Sequence, residues 1–234
     1  ALRAGHTHVM LFDQDSEPLP GMVAALLAVE RAMIEAGHRV AAVGPSFRDR
    51  KSLVEAHAVR YRWWGVQKHK LSRGSQGVKT DSIIASGSLI RREVLLAVGG
   101  MIEALFIDWV DIEWSLRAKR MGYTCFIAPQ LVMSHSVGDK AVRIVGRHFN
   151  LHSSFRQYYI VRNAFLMMRL GYLGVGARLG IFFKVLFKYV PAYLILSTHR
   201  IETLRMFGRA LVDAFRIDRS ILLPCRWDLD DSVR

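Results

Sequence analysis

The chain has 234 residues, of which 51% are hydrophobic and 10% aromatic, and its 33 Lys and Arg residues outnumber 20 Asp and Glu residues. This length fits one α/β domain with or without an appendage, and the apolar fraction excludes a disordered chain. Two cysteines 100 positions apart, Cys125 and Cys225, exclude a disulfide scaffold and a four-ligand zinc cluster.

The positive charge is concentrated in the C-terminal part of the chain. Residues 140–234 hold 16 basic and 6 acidic side chains, whereas residues 1–139 hold 17 and 14. This asymmetry indicates an anionic partner for the C-terminal part, either nucleic acid or an anionic membrane surface.

Strands and helices alternate in the first part of the chain. The apolar run at 7–12 predicts a buried strand, and residues 21–36 predict a helix that ends at Gly37. Residues 38–44 predict another strand, so the order indicates a largely parallel α/β layer. The elements predicted next are a short strand near 61–64, a strand at 81–90 broken by Gly87, helices at 91–97 and 108–121, and strands at 123–128 and 131–135.

The C-terminal part predicts amphipathic helices. Residues 155–197 are apolar but carry six basic side chains. They contain no run of 18 uncharged apolar residues, so the sequence does not predict a membrane-spanning helix. Aromatic residues alternate there with Lys184 and Lys188, a mixture typical of a helix lying in a membrane interface. Residues 200–216 predict a helix with separate apolar and arginine faces, which fits packing on the domain or binding to lipid equally well.

The first candidate site is Asp13-x-Asp15, which follows the first predicted strand. Ligands bind outside the carboxyl ends of strands in open α/β sheets, and two carboxylates there can hold a hard divalent cation. The alternative is a turn in which the carboxylates accept local hydrogen bonds.

The second candidate site is the acidic run that contains Asp108, Asp111 and Glu113, flanked by Trp109 and Trp114. Asp108 could cap a helix, and the helix dipole favours acids in the first turn, so a structural role explains some of these acids. A carboxylate beside aromatic platforms for a sugar ring could instead act as a general base.

Two further features leave alternatives open. His135 could complete a carboxylate metal site if its strand ends beside Asp15, or it could be structural. Arg156 and Arg162 lie six positions apart and do not share a helical face. Arginine can bind a diphosphate through two hydrogen bonds, but both residues also fit a basic, membrane-facing helix.

Four segments together resemble the inverting glycosyltransferases of family 2, which have the GT-A fold, and most of all the bacterial rhamnosyltransferases. The resemblance covers roughly residues 1–165. It rests on LFDQDSEPLPGM at 11–22, SGSLIRREVLLAVGGMIEALFIDWVDIEW at 86–114, the stretch 122–135 and YYIVRN at 158–163.

The resemblance implies a role for each matching residue. Asp13 and Asp15 match the motif that binds the metal and the nucleotide diphosphate, and Asp111 matches the catalytic base. His135 matches a third metal ligand, and Arg162 would lie near the leaving diphosphate. The implied cofactor is Mg²⁺ or Mn²⁺. The residues implied on the acceptor side are Gly87, Ser88, Asp108, Trp109, Glu113 and Trp114.

The resemblance also implies the architecture: a partial GT-A α/β domain at 1–150, with a mixed sheet flanked by helices, and a basic amphipathic helical region at 151–234. Members of the family carry a further N-terminal portion before the D-x-D strand, so we expect part of the catalytic domain to be missing here. This absence leaves a second hypothesis open, a non-catalytic, membrane-associated fragment that lacks the donor-binding half.

The implied activity is transfer of a sugar, L-rhamnose from dTDP-rhamnose, to a lipid-linked or polysaccharide acceptor. The expected location is cytoplasmic, on the inner face of the cell membrane and against its anionic surface. We expect no nucleic-acid partner, because the basic residues are interleaved with long apolar stretches and no common DNA- or RNA-binding signature occurs.

Overall fold

The structure is a computed structural model that describes residues 5–14, 16–49, 57–62, 64–72, 74–135, 140–144, 147–151 and 153–226. Of Asp49, 134–135, 140–144 and 147–151, only the backbone is described. The strands are β1 (His8–Met10), β2 (Val40–Asp49), β3 (His57–Arg62), β4 (Gly65–Lys70), β5 (Val78–Thr80), β6 (Leu89–Arg91), β7 (Thr124–His135), β8 (Lys140–Ile144) and β9 (Arg147–Leu151). The α-helices are α1 (Met22–Glu35), α2 (Arg92–Val98), α3 (Val110–Arg120), α4 (Ser154–Arg169), α5 (Val175–Lys184), α6 (Val190–Leu196) and α7 (Arg200–Arg216).

A five-stranded mixed sheet with the order β1-β6-β2-β7-β5 forms the centre of the described chain. Helix α1 packs on one face through Met22 and Leu26, whereas α2 and α3 contribute Val94 and Trp114 to a separate cluster. The predicted α/β class, with a mixed sheet flanked by helices, is therefore confirmed. The prediction of a largely parallel layer is wrong, because β2 and β7 are parallel but β6 and β5 pair with their neighbours antiparallel.

The helices predicted in the α/β part and at 200–216 are confirmed within about two residues, but three strand predictions are wrong. The predicted strand at 81–90 is mostly loop, because Gly87 turns the chain with a φ of +79° before β6 begins. The two strands predicted around Pro129 are one strand, β7, whose pairing with β2 shifts register at this point. The single strand expected near 61–64 is a hairpin of β3 and β4.

The C-terminal helices share an apolar core with the α/β part. Trp109 and Leu116 near α3 lie in the same buried cluster as Ile160 of α4, Ile181 of α5 and Phe207 of α7. The predicted boundary at residue 150 remains a prediction from composition, and residues on both sides of it pack together in this cluster. Consequently the C-terminal helices can contribute directly to a site in the α/β part.

Helix α7 faces the domain with a different side from the one that its apolar residues suggest. Its buried residues are Thr203, Phe207, Ala210 and Ala214. The residues predicted to form its apolar face remain 38% to 67% exposed, and they are Ile201, Leu204, Leu211, Val212 and Phe215. Helix α7 therefore packs on the domain with its arginines exposed, as one alternative expected, but it does so through these four buried residues and not through the predicted apolar face.

Among the residues that the structure describes, one continuous helical stretch, Val175–Leu196, is long and apolar enough to cross a membrane by length and composition. The most apolar 18 residues of this stretch have a mean hydropathy of 1.7, and 28% of them are buried. A single helix of this kind is weak evidence for a membrane span, because core helices of soluble proteins meet the same criterion.

Gly87 provides a test of the loop before β6. Its φ of +79° disfavours any side chain, and a Cβ there would lie 2.8 Å from both the Met22 methyl group and the Pro45 ring. We expect Gly87→Ala to lower the free energy of unfolding by about 1–3 kcal/mol, measured by urea denaturation. Gly74→Ala is the matched control, because nothing lies within 4 Å of its Cβ. It should change stability by less than about 1 kcal/mol. Equal effects of the two substitutions would contradict this account.

Candidate active site

A cavity of about 540 Å³ opens beside the C-terminal end of β1. Both the α/β part and the C-terminal helices contribute to its wall, among them Asp13, Asp108, Asp111, Arg156 and Lys184. The volume is in the range of about 300–1,000 Å³ that is usual for ligand pockets. Three of the predicted carboxylates thus share one cavity with two cations.

The segment that leads into α3 has an unusual backbone. Phe106, Asp108 and Trp109 all have positive φ values, between 58° and 64°, and none of them is a glycine. Such conformations cost on the order of 1–3 kcal/mol each and persist only where the surroundings enforce them. Trp109 occupies the N-cap position of α3, so the expectation that Asp108 caps this helix is wrong.

Buried polar side chains of α4 enforce this backbone. The Nδ2 group of the fully buried Asn163 donates to the carbonyls of Leu105 at 2.6 Å, Ile107 at 2.7 Å and Asp108 at 3.2 Å. The indole Nε1 of Trp109 donates to the Ile160 carbonyl at 3.0 Å. These hydrogen bonds hold the backbone before α3 in this conformation and so determine how the segment borders the cavity.

Arg162, predicted near the leaving diphosphate, lies beneath the same segment and is 8% exposed. Its Nε donates to Asn163 Oδ1 at 2.9 Å, its Nη2 donates to the Ala104 carbonyl at 2.6 Å, and its guanidinium lies 4.4 Å from the Tyr159 ring centre. Arg162 therefore supports this segment by hydrogen bonding, and it is not among the described residues that line the cavity.

Asp111 lies in the first turn of α3, and one carboxylate oxygen accepts from the backbone N–H of Ile112 at 2.8 Å. Burial raises the pKa of Asp111 to about 6, partly opposed by the hydrogen bond from Ile112 and reinforced by the charge of Asp108. The carboxylate is therefore ionised above pH 6 and a stronger base than an exposed aspartate.

Asp108 carries a charge partner on α4. Its two carboxylate oxygens accept from Arg156 Nε at 2.9 Å and Nη2 at 3.0 Å, a bidentate pair. Arginine held in this way is preorganised and remains charged. The pair forms one side of the cavity and leaves Asp111 as the carboxylate with the raised pKa.

The structure places Glu113 and Trp114 away from the cavity. Glu113 is fully buried and accepts from Arg117 Nε at 2.8 Å and from the Tyr172 hydroxyl at 2.5 Å. Arg117 also donates to the Gly100 carbonyl at 2.7 Å, and Trp114 Nε1 donates to the Gly99 carbonyl at 2.9 Å. These side chains connect α3 to α2 and to the chain before α5.

Gly87 and Ser88 are also buried behind the cavity. The Gly87 N–H donates to the Leu11 carbonyl at 2.7 Å, and the Leu11 N–H donates to the Ser88 carbonyl at 3.0 Å. The Ser88 hydroxyl donates to the Ala85 carbonyl at 2.7 Å. They position Ala85, which lines the cavity, relative to the end of β1.

The predicted metal ligands are only partly described. Asp13 is exposed in the cavity wall, and its N–H donates to Ser86 Oγ at 3.3 Å, whereas Asp15 lies outside the described residues. His135 ends β7, which β6 and β2 separate from β1, and its side chain is not described. Within the described residues, no group of three or more His, Cys, Asp or Glu side chains could hold a metal ion. The carboxylate of Asp13 nevertheless offers the oxygen ligand that Mg²⁺ and Mn²⁺ prefer.

Two cavity residues, Lys184 and Tyr189, were not predicted as site residues. Their sequence segment indicated a membrane interface, and nothing in its periodicity indicated a side that faces a cavity. The Lys184 Nζ lies 5.2 Å from the Trp109 ring centre and 5.7 Å from that of Tyr189. Tyr189 raises the pKa of Lys184, against the lowering effect of burial.

Comparison with known proteins finds an extensive sequence relative, whereas no protein-family model matches. The chain is 33% identical over 219 residues to dTDP-rhamnosyl transferase RfbF of Shigella flexneri, and the alignment covers 92% of this chain and 71% of the relative. Among solved structures, GalNAc-T7 with UDP, GalNAc and Mn²⁺ has a TM-score of 0.43 and 13% identity. That alignment covers 82% of this chain, which spans about two fifths (41%) of the solved chain.

The sequence relative decides the family, because both its identity and its coverage are high. The resemblance to bacterial rhamnosyltransferases is confirmed, and the chain belongs to the family of glycosyltransferases that includes dTDP-rhamnosyl transferase RfbF.

Proposed function

We propose that this glycosyltransferase moves L-rhamnose from dTDP-rhamnose to a lipid-linked or polysaccharide acceptor, with inversion at the anomeric carbon. The observation that carries the proposal is that Asp111, with its raised pKa, shares one cavity with Asp13 at the end of β1. A base and a donor-side carboxylate in one cavity are what a single displacement requires. The 33% identity to a dTDP-rhamnosyl transferase supports the choice of donor.

In the proposed reaction, Asp111 takes the proton from the acceptor hydroxyl as that oxygen attacks the anomeric carbon. The new bond forms while the bond from this carbon to the diphosphate oxygen breaks, and the electron pair leaves with dTDP. General base catalysis of this kind contributes on the order of 10²–10⁴ in rate. The direct displacement needs no covalent enzyme intermediate and inverts the configuration.

Other residues of the cavity would orient the reactants. The Asp108–Arg156 pair offers fixed polar groups to sugar hydroxyls, and the Trp109 ring borders the acceptor side. Asp13, together with Asp15, would hold Mg²⁺ or Mn²⁺, which when bound neutralises the charge of the departing diphosphate. Arg162 would act through the segment that it supports.

The C-terminal helices support a location at the inner, cytoplasmic face of the cell membrane. The exposed apolar face of α7 lies beside Arg205, Arg209 and Arg216, all exposed. An apolar stripe bordered by arginines fits the boundary between acyl chains and anionic headgroups. This arrangement favours an acceptor that is itself attached to the membrane.

Substitution of the proposed base tests the mechanism. We expect Asp111→Asn to lower kcat by about 10²–10⁴-fold in a rhamnosyl transfer assay, while circular dichroism remains unchanged. The wild-type kcat/KM should rise with pH through about 6, where Asp111 loses its proton. Glu93→Gln on the exposed surface of α2 is the control and should have full activity. Near-normal turnover by Asp111→Asn would refute the assignment.

The raised pKa of Asp111 also predicts an effect on stability. The folded chain holds this proton up to pH of about 6, whereas the unfolded chain releases it near 3.8, so ionisation destabilises the fold as pH rises between these values. We expect Asp111→Asn to raise the free energy of unfolding by about 1–3 kcal/mol at pH 7.5, and by roughly half as much at pH 5. Urea denaturation at both pH values measures this difference. A variant less stable than wild type at pH 7.5 would contradict the prediction.

Donor binding is tested by calorimetric titration of the chain with dTDP, with and without Mn²⁺. We expect binding that depends on Mn²⁺ and weakens at least roughly tenfold in Asp13→Ala and in Asp15→Ala, because each removes a carboxylate ligand of the cation. Glu17→Ala, in the same exposed segment, is the matched control and should bind normally. Equal binding by all three variants would exclude this motif as the donor site.

A further inference from the structure

A second cavity, of about 190 Å³, lies where β5 ends and β7 begins. Because β1 and β2 both pair antiparallel with β6, and β7 runs parallel to β2, the strands β1 and β7 point in the same direction. The start of β7 is therefore at the opposite end of the sheet from the candidate active site, which opens where β1 ends. The two cavities share no described lining residue. The second one is smaller than the usual pocket of a drug-sized ligand, so it suits a small ligand.

Basic side chains dominate the wall of this second cavity. Its described lining includes four basic residues and one acidic residue, namely Arg60, Arg62, Lys79, Lys119 and Asp81. The two arginines lie two positions apart on β3, so their side chains are on the same face of the strand. Lys79 belongs to β5 and Lys119 to α3. Three separate elements thus bring exposed cations to one concave surface that a ligand can reach.

The acidic residue of this cavity is already engaged. Asp81 Oδ2 accepts from Lys119 Nζ at 2.7 Å and from the backbone N–H of Tyr61 at 2.8 Å. Within the part of the chain that the structure describes, no ion pair joins Arg60, Arg62 or Lys79 to a carboxylate. Positive charge that no acid balances, concentrated in a concave site, attracts an anion from solution.

Hydrogen bonds hold the two strands that carry these cations against each other. Thr80 is buried, and its Oγ1 accepts from the Val59 N–H at 3.0 Å and donates to the Ser82 carbonyl at 2.8 Å. The Asp81 N–H donates to the Val59 carbonyl at 2.8 Å. The end of β5 is therefore fixed beside β3, which keeps Lys79 near the arginines. A site preorganised in this way loses less conformational entropy when a ligand binds.

We propose that Arg60, Arg62, Lys79 and Lys119 bind a phosphate group at this end of the sheet. Arginine binds phosphate through two parallel hydrogen bonds, and lysine binds it as a point charge. A phosphate monoester is close to doubly charged at neutral pH, so it matches several cations better than a single carboxylate does. The site is separate from the donor and acceptor cavity, and this proposal does not depend on the proposed function.

Inorganic phosphate is the probe for the site, titrated into the full chain by calorimetry at pH 7.5 with the ionic strength held constant by sodium chloride. We expect saturable binding with a millimolar or lower Kd. Phosphate should also raise the Tm relative to sodium chloride at the same ionic strength, because a ligand that binds the folded chain stabilises it. Absence of binding by the wild-type chain would overturn the proposal.

Variants assign the binding to this cavity. Arg60→Gln/Arg62→Gln should weaken phosphate binding at least roughly tenfold and remove the rise in Tm, because it removes both bidentate donors. The matched control is Arg31→Gln/Arg200→Gln, on the exposed surfaces of α1 and α7, which lowers the net charge equally and should bind phosphate normally.

Thermal melts without phosphate identify any variant that fails to fold. Lys79→Glu is an independent second variant, because it changes one exposed side chain on β5 and places a carboxylate where the anion would bind. It should also weaken phosphate binding at least roughly tenfold. Unchanged binding in Lys79→Glu and in the double arginine variant, or equal weakening in the control, would show that phosphate binds elsewhere and would overturn the proposal.

A phosphate group reaches such a site either as a free anion or as a lipid headgroup, and vesicles separate the two sources. Sedimentation with phosphatidylcholine vesicles that contain phosphatidic acid measures headgroup binding. If the source is a lipid, Arg60→Gln/Arg62→Gln should bind these vesicles at least roughly tenfold more weakly than the charge-matched control. If the source is a free anion, the two variants should bind the vesicles equally while only the control binds inorganic phosphate.

Discussion

The geometry of the cavity depends on one buried amide, that of Asn163. Its Nδ2 group contacts three carbonyls of the segment before α3, where three residues other than glycine have positive φ. Without these hydrogen bonds the segment would relax to ordinary dihedral angles, because each strained residue costs on the order of 1–3 kcal/mol. That relaxation would turn Asp108 and Asp111 away from their present positions. The strain and the buried amide therefore have to be present together.

The two acids that this segment positions are in different electrostatic environments. Arg156 neutralises Asp108 through two hydrogen bonds, whereas burial dominates at Asp111 and raises its pKa to about 6. Of these two neighbouring carboxylates, one is held in a bidentate pair with an arginine and the other can exchange a proton near pH 6. The proposed base reduces the stability of the fold at neutral pH, which is the usual relation between a catalytic group and its scaffold.

Sequence patterns predicted the parts of the site that local chemistry determines. The acids of α3 occur at a helix start, and Asp13 follows a strand, so both could be located from periodicity. Arg162 could not, because its burial depends on a loop nearly sixty residues earlier in the chain. The orientation of α7 was equally inaccessible, since small residues such as Ala210 and Ala214 form its packed face and leave the larger apolar ones outside.

At Lys184 a local change in helix geometry changes which side chains of an amphipathic sequence face the cavity. At α-helical spacing it belongs to an amphipathic stretch suited to a membrane, and that interpretation accounts for the exposed Phe183 and Phe187. The π-helical turn from Val185 to Tyr189 directs Lys184 and Tyr189 into the cavity without moving those phenylalanines inward. One short segment therefore faces both the proposed membrane and the proposed base. Because that segment also packs in the core with Trp109, a displacement of the helix at the membrane would change the cavity itself.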